Sequence, residues 1–142
     1  MCIAAFGSSA PPEEGKWRVA RLNVFVSFEF DKDENLRGSF YAQAKRHTRH
    51  RIGDYSLSEA YKAREWKAKA KAAIRRCDAV VVLIGEDTHN APGVRTEVDI
   101  AQSLGKPILQ VRPQKRSYPG LHWLDDPIPW KWERIEDWLD EL

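Results

Sequence analysis

The sequence has few cysteines and no long apolar run. Its 142 residues include two cysteines, Cys2 and Cys77, which are too few for a disulfide framework and lack metal-ligand spacing. A membrane-spanning helix needs about 20 consecutive apolar residues, and no segment approaches that length. The first residues lack the basic start and apolar stretch of a signal peptide. The sequence therefore predicts a soluble, cytoplasmic protein with free thiols and no contact with a membrane.

The sequence also lacks two common nucleotide-binding motifs and a metal-ligand spacing of its histidines. Neither GxGxxG nor GxxxxGK[ST] occurs, which argues against a conventional dinucleotide site or P-loop. The histidines His47, His50, His89 and His122 lack ligand spacing. We therefore expect neither a metal ion nor a bound cofactor.

Charge is nearly balanced but unevenly distributed. Lys and Arg number 23 against 21 Asp and Glu, a net charge of +2, so the whole molecule is not expected to bind polyanions. The run KRHTRHR occupies residues 45–51, and residues 62–76 hold a second basic run. Solvated faces explain such runs most simply, and a phosphate-facing or nucleic-acid-facing patch is the alternative. Nucleic acid is not an expected partner. The lack of a steeply salt-dependent affinity for DNA or RNA would exclude this alternative.

The remaining pattern predicts a short leader and one domain. Residues 1–18, rich in Ser, Pro, Gly and Glu, indicate a flexible leader, and residues 19–142 a single domain. Apolar runs predict strands over residues 22–30, 79–84 and 107–111, with a short strand ending at Asp54 and an edge strand within residues 118–130. Helical spacing predicts helices from about Asn35 and over residues 63–77, 93–104 and 132–142.

Alternating strands and helices predict an α/β fold. We expect a three-layer, flavodoxin-like open parallel sheet of four to five strands with helices on both faces. Ligands bind such sheets outside the carboxyl ends of the strands, so the candidate loops are residues 28–34, 54–59 and 85–93. The apolar face of the last helix is expected to pack against the sheet, with self-association as the alternative.

One predicted helix has a carboxylate in its apolar stripe. On a helical wheel, Glu97 falls in the arc that holds Val94, Val98 and Ala101. We expect it near the first turn, where the helix N-terminus would help to keep it ionised. A carboxylate there can stabilise positive charge on a sugar carbon, or attack that carbon, as in glycosidases. The pattern alone leaves a catalytic and a structural role equally open.

Three segments in order carry a family resemblance. NVFVSFEFDKDE, DYSLSEA and DAVVVLIGEDTHNAPGVRTEVDIAQSLGKPILQV, within residues 22–111, resemble the TIR-like domains once grouped as the MTH538-like family, which includes the ThsB proteins of Thoeris anti-phage defence. Active members are NAD+ hydrolases or ADP-ribosyl cyclases. The resemblance implies that NAD+ is a substrate, that the product is an ADP-ribose-derived and cyclic signalling nucleotide, and that the product reaches a separate effector protein. A phage-derived trigger and self-association are also implied.

The resemblance also suggests site residues. It assigns the catalytic glutamate to Glu97, in the V-x-x-E stretch that begins at Val94. The residues expected around the substrate are Ser27, Phe28, Asp54, Ser56 and Thr88. Structural alternatives are a core position for Phe28, a helix cap for Ser56 and a turn for Thr88. Gly93 departs from the family pattern, because an aromatic residue, usually Trp, stands there.

Two other functions fit the same sequence. A non-catalytic TIR-like adaptor would bind partners without turning over a dinucleotide. An enzyme like the nucleoside deoxyribosyltransferases would also place a glutamate on a related sheet and attack a ribosyl carbon. Dinucleotide turnover separates the first from the leading hypothesis, and deoxynucleoside products would reveal the second.

Overall fold

A computed structural model describes residues 21–53, 65–113 and 116–142, with the backbone alone for residues 30–34. The predicted leader, Asp54 and Ser56 lie outside the described residues. The strands are β1 (Asn23–Ser27), β2 (Arg51–Gly53), β3 (Ala79–Leu83), β4 (Ile108–Arg112) and β5 (Ile128–Pro129). The helices are α1 (Phe30–His47), α2 (Trp66–Arg76), α3 (Pro92–Ser103) and α4 (Trp132–Asp140), with a 3-10 turn at Thr88–Asn90.

The five strands form one parallel sheet in the order β2-β1-β3-β4-β5. This is the flavodoxin-like order, and it confirms the predicted fold class. The central strand β3 is buried at all of its positions, as expected for a strand covered by helices on both faces. Within the described part of the chain, no helix is long and apolar enough to cross a membrane.

Alternating side chains divide the core into two layers. Phe25, Val80 and Val82 pack with α2 and α3, and we call this the α2–α3 layer. Val24, Val26 and Val81 face the other way and pack with α1 and α4, the α1–α4 layer. Because successive strand residues point to opposite faces, each central strand contributes to both cores.

The predicted helices are present in the structure, but α1 begins earlier than predicted. Ile135 and Leu139 of α4 are fully buried in the α1–α4 layer, so the last helix packs against the sheet as predicted. The predictions that the first strand extends to Phe30 and that α1 begins at about Asn35 were wrong, because β1 ends at Ser27 and the helix begins at Phe30. The segment that suggested a turn, residues 31–35, instead belongs to this helix.

The link between α3 and β4 is a Schellman turn. Gly105 has a φ of +70°, a conformation that glycine adopts without strain. The Lys106 N–H donates to the Ala101 carbonyl at 2.9 Å, and the Gly105 N–H donates to the Gln102 carbonyl at 3.0 Å. These bonds satisfy the last carbonyls of α3 and fix the point from which the chain enters β4.

A buried glutamine organises the irregular connection between β4 and β5. Gln110, 1% exposed, donates through Nε2 to the carbonyls of Leu121 and Asp125 at 3.2 and 2.8 Å. Its Oε1 accepts from the Leu121 N–H at 2.7 Å. A side chain at Gly120 would meet Gln110 Oε1 at 2.8 Å, so glycine lets the connection approach the amide.

We expect Gln110→Leu to destabilise the fold by about 2–5 kcal/mol, since it leaves buried backbone groups of Leu121 without partners. Urea unfolding measures the loss. Gln102→Leu, at an exposed position of α3, is the matched control and is expected to change the free energy of unfolding by less than about 0.5 kcal/mol. Equal stability of the two variants would show that the connection does not depend on the amide.

Candidate active site

Ser27 is the last residue of β1 and faces the α2–α3 layer. Phe25, two residues earlier, lies in the same layer, which follows from the alternation of side chains along a strand. Ser27 has no exposed surface. Its hydroxyl therefore needs a partner within the protein.

That partner is Glu97 on α3. The Ser27 hydroxyl donates to Glu97 Oε1 at 2.6 Å, a length typical of hydrogen bonds to a carboxylate. Val94, Val98 and Ala101 of the same helix are buried, and Glu97 is only partly exposed. The helical-wheel prediction is thus confirmed, and the carboxylate lies beside the carboxyl end of β1, at the edge where parallel sheets of this class bind ligands.

Burial controls the charge of this carboxyl group. Desolvation raises the pKa of Glu97 from 4.5 to about 7, and the hydrogen bond from Ser27 acts in the opposite direction. Charged carboxylates lose hydration when buried, so the neutral form gains relative stability. Near pH 7, Glu97 therefore exists in comparable amounts as carboxylate and carboxylic acid. A pKa near the working pH is typical of groups that accept or donate a proton in a reaction.

Glu97 lies near the first turn of α3, as expected, but outside it. The helix begins at Pro92, which makes Glu97 its sixth residue and places it in the second turn. Helix-dipole effects fall off within the first turn. Burial, rather than the helix N-terminus, therefore dominates the ionisation of Glu97, and Ser27 supplies the opposing hydrogen bond.

Thr88 has a structural role in the loop after β3. It is fully buried, and its oxygen accepts from the Gly85 N–H at 2.7 Å. Its hydroxyl is 3.3 Å from the Leu83 carbonyl, to which it donates. These bonds shape the loop that leads into α3. Direct contact of Thr88 with a substrate stays a prediction.

Phe28 lies on the opposite side of β1 from Ser27. It packs against the α1–α4 layer, and the Arg37 guanidinium carbon lies 5.6 Å from its ring centroid. Ser27, but not Phe28, therefore lies on the face of the sheet against which α3 and Glu97 pack. Substrate stacking on Phe28 stays a prediction, and Gly93, where the family has an aromatic residue, is buried.

A second polar cluster joins α4 to the segment before β2. His50 Nδ1 accepts from the Leu22 N–H at 3.0 Å, and His50 Nε2 lies 2.9 Å from Asp140 Oδ1. Because Nδ1 accepts a hydrogen bond, the proton of the neutral ring lies on Nε2 and is donated to Asp140. Glu136 completes a group of three residues with metal-ligand side chains.

The hydrogen bonds of this cluster disfavour a metal ion. Nε2 could bind one only after the ring proton moved to Nδ1, where it would oppose the Leu22 N–H. The Arg49 guanidinium also binds Asp140 Oδ1 at 2.9 Å. We therefore interpret His50, Glu136 and Asp140 as a hydrogen-bonded link. Sequence spacing could not reveal it, because the residues are far apart in the chain.

Sheet order defines a doubly wound α/β protein, and the Glu97 carboxylate lies at the edge where this class of fold binds ligands. The family model described as Thoeris protein ThsB, TIR-like domain, matches residues 25–118, and the chain belongs to this family. The match includes both Ser27 and Glu97.

A solved structure supports the same fold. The chain is similar to the Clostridium botulinum CMP N-glycosidase BcmB, with 20% identity, a TM-score of 0.51, and coverage of 84% of this chain and 98% of that chain. A comparison with curated proteins finds no match. The likeness to BcmB therefore concerns the fold.

Proposed function

We propose that the protein is an NAD+-cleaving TIR-like enzyme that makes an ADP-ribose-derived signalling nucleotide in anti-phage defence. The observation that carries the proposal is the Ser27–Glu97 pair at the carboxyl edge of the sheet, in a chain of the ThsB TIR-like family. In this proposal NAD+ is the substrate, and the protein acts in the cytoplasm, which contains NAD+ and is the compartment that a phage infects.

Chemistry at Glu97 follows from the charge of the substrate. The nicotinamide ring of NAD+ is a cationic pyridinium, and it leaves as a neutral molecule when its bond to the ribose carbon breaks. The positive charge then develops on the ribose, in an oxocarbenium-like transition state. The ionised Glu97 carboxylate stabilises that charge or orients a ribose hydroxyl, and partial burial strengthens the interaction because little water screens it.

Ser27 acts through Glu97 as a positioning residue. Its hydroxyl holds Oε1 at 2.6 Å and so restricts the orientation of the carboxylate toward the ribose. The same hydrogen bond lowers the pKa of Glu97 against the larger effect of burial. It therefore increases the fraction of reactive carboxylate at neutral pH.

Capture of the ribosyl cation decides the product. Water would give ADP-ribose, whereas an internal hydroxyl of the same molecule would give a cyclic nucleotide. We propose the cyclic product as the messenger that reaches a separate effector protein during infection. A phage-derived trigger and self-association complete the proposal, since both would control when the site is active.

Nucleotide N-glycosidase activity is the second candidate, because the similar BcmB is described as a CMP N-glycosidase. Cytosine leaves as a neutral base only if it gains a proton, so such a reaction needs a proton donor within reach of the base. Nicotinamide needs none. The pyridinium substrate therefore makes the smaller demand on the site.

A substrate panel tests the proposal. The full chain, at high protein concentration and with or without infected-cell extract, is incubated with NAD+, CMP or deoxynucleosides, and released bases are measured by chromatography. We expect nicotinamide alone. Cytosine release would replace the proposal with the glycosidase function, base exchange would favour the deoxyribosyltransferase alternative, and no release from a folded protein would favour the adaptor.

We expect Ser27→Ala to move the pH dependence of kcat/KM for NAD+ to higher pH. Loss of the hydrogen bond removes the effect that lowers the pKa of Glu97, so a smaller fraction is ionised near pH 7. Activity should fall about 10-fold or more at pH 6.5 and recover in part at pH 9. Ser27→Thr, which retains a hydroxyl, is the control. An equal loss at every pH would assign Ser27 a structural role only.

A further inference from the structure

A cavity of about 470 Å³ lies at the amino end of the sheet, between the second half of α1 and the start of β2. Its lining includes Arg21, which precedes β1, and Arg51, the first residue of β2. Residues 21 and 27 are separated by about 20 Å of extended chain at about 3.3 Å per residue. The cavity is therefore distinct from the Glu97 site, at the opposite end of the same strand.

Among the described residues, the lining has three cationic side chains and no carboxylate. Arg21, Lys45 and Arg51 line the cavity, and all three are exposed. None of them forms an ion pair with any residue in the described part of the chain. Three unneutralised cations around one cavity favour an anionic ligand.

The neutral polar groups of the lining already have partners. Tyr41 donates its hydroxyl to the Gly53 carbonyl at 2.9 Å, and both ring nitrogens of His50 are engaged. The Thr48 hydroxyl donates to Glu136 and accepts from the His50 N–H. The lining donors that remain for a ligand are therefore mainly cationic.

Two described carboxylates beside the cavity are held by other residues. Asp140 binds Arg49 and His50, and Glu136 accepts from Thr48. The dipole of α1 accounts for a basic residue such as Lys45 in its last turn. It does not account for Arg21 and Arg51, which come from other segments.

We propose that this cavity binds a nucleoside phosphate. The phosphates would contact Lys45, Arg51 and Arg21, and the organic part would lie against Tyr41 and Ile52, which supply the apolar wall. A volume of 470 Å³ falls within the range of small-molecule sites and exceeds the need of a bare phosphate ion. This binding does not depend on the proposed reaction at Glu97.

ATP is the probe, and calorimetry on the full chain is the measurement. The double variant Lys45→Gln, Arg51→Gln should weaken ATP binding at least about 10-fold, with about fivefold for each single change. Arg46→Gln, an exposed α1 position outside the lining, is the charge-matched control and should stay within about twofold. Glu97→Gln should bind ATP like the wild type, which separates this site from the active site.

Several results would overturn the proposal. They are no ATP binding by the folded wild type, equal affinity for ATP and inorganic phosphate, or an equal loss in Arg46→Gln and the lining variants. A single-stranded RNA of 20 nucleotides serves as the third probe. Tighter, more steeply salt-dependent binding of RNA than of ATP would replace the nucleotide site with a nucleic-acid-binding surface.

Discussion

Glu97→Gln should reduce nicotinamide release from NAD+ by about 1,000-fold or more, the size of effect seen when the central reactive group of an enzyme is removed. The change preserves the shape of the side chain, and glutamine Oε1 can still accept the hydrogen bond from Ser27. It removes the negative charge that, in the proposed reaction, stabilises the ribosyl cation. The measurement is the initial rate of nicotinamide release, with the trigger supplied if wild type requires it.

Asp99→Asn is the matched control for this substitution. Asp99 lies on the same helix, two residues further along, and is exposed. The same loss of one negative charge there should leave the rate within about twofold of wild type. A Glu97→Gln enzyme with more than about one tenth of the wild-type rate would contradict a catalytic role for the carboxylate.

The same substitution should stabilise the protein at alkaline pH. The folded-state pKa of about 7 lies above the ordinary value of 4.5, so between these values the folded chain holds a proton that the unfolded chain has released. The contribution of Glu97 to the free energy of unfolding therefore falls as pH rises from about 4.5 to about 7 and is level above that range. At 1.36 kcal/mol per pKa unit, ionisation of Glu97 costs the wild type up to about 3 kcal/mol.

Glutamine does not ionise, and Glu97→Gln escapes this cost. Urea unfolding at several pH values should show the variant more stable than wild type by up to about 3 kcal/mol at pH 8, with the difference vanishing below about pH 4.5. Equal stability of the two proteins at every pH would mean that Glu97 is well solvated, which would remove the physical basis of its raised pKa. A variant that gains stability and loses activity would show that the buried carboxylate lowers the stability of the fold while serving activity.

Periodicity was enough to predict the position of Glu97, because a lone carboxylate within the apolar stripe of α3 is visible on a helical wheel. Family resemblance then suggested its role. The hydrogen bond from Ser27 to Glu97 could not be predicted from local patterns. It joins β1 to α3, which come together only when β1 pairs with β3. Alternation along β1 was the available signal, because it places Ser27 on the face of Phe25.

The elements themselves followed from local patterns, and long-range polar contacts did not. The apolar run at Ala79–Leu83 predicted the central strand, and the stripe of α4 predicted its packing. By contrast, His50 and Asp140 meet across 90 residues of sequence, and neither position belongs to a periodic pattern that could reveal the bond. Thr88 differs from this pair, because its hydroxyl binds the backbone of its own loop, which is the local turn role that the sequence offered as an alternative.

Titration of the Glu97 carboxyl carbon by NMR, compared with the pH dependence of kcat/KM for NAD+, tests the central claim most directly. The kcat/KM profile reports groups of the free enzyme, so both curves should have a midpoint at about pH 7, with activity falling about 10-fold per pH unit below it. A carboxyl group that titrates near its ordinary pKa of 4.5, or a rate that does not follow its ionisation, would contradict the account.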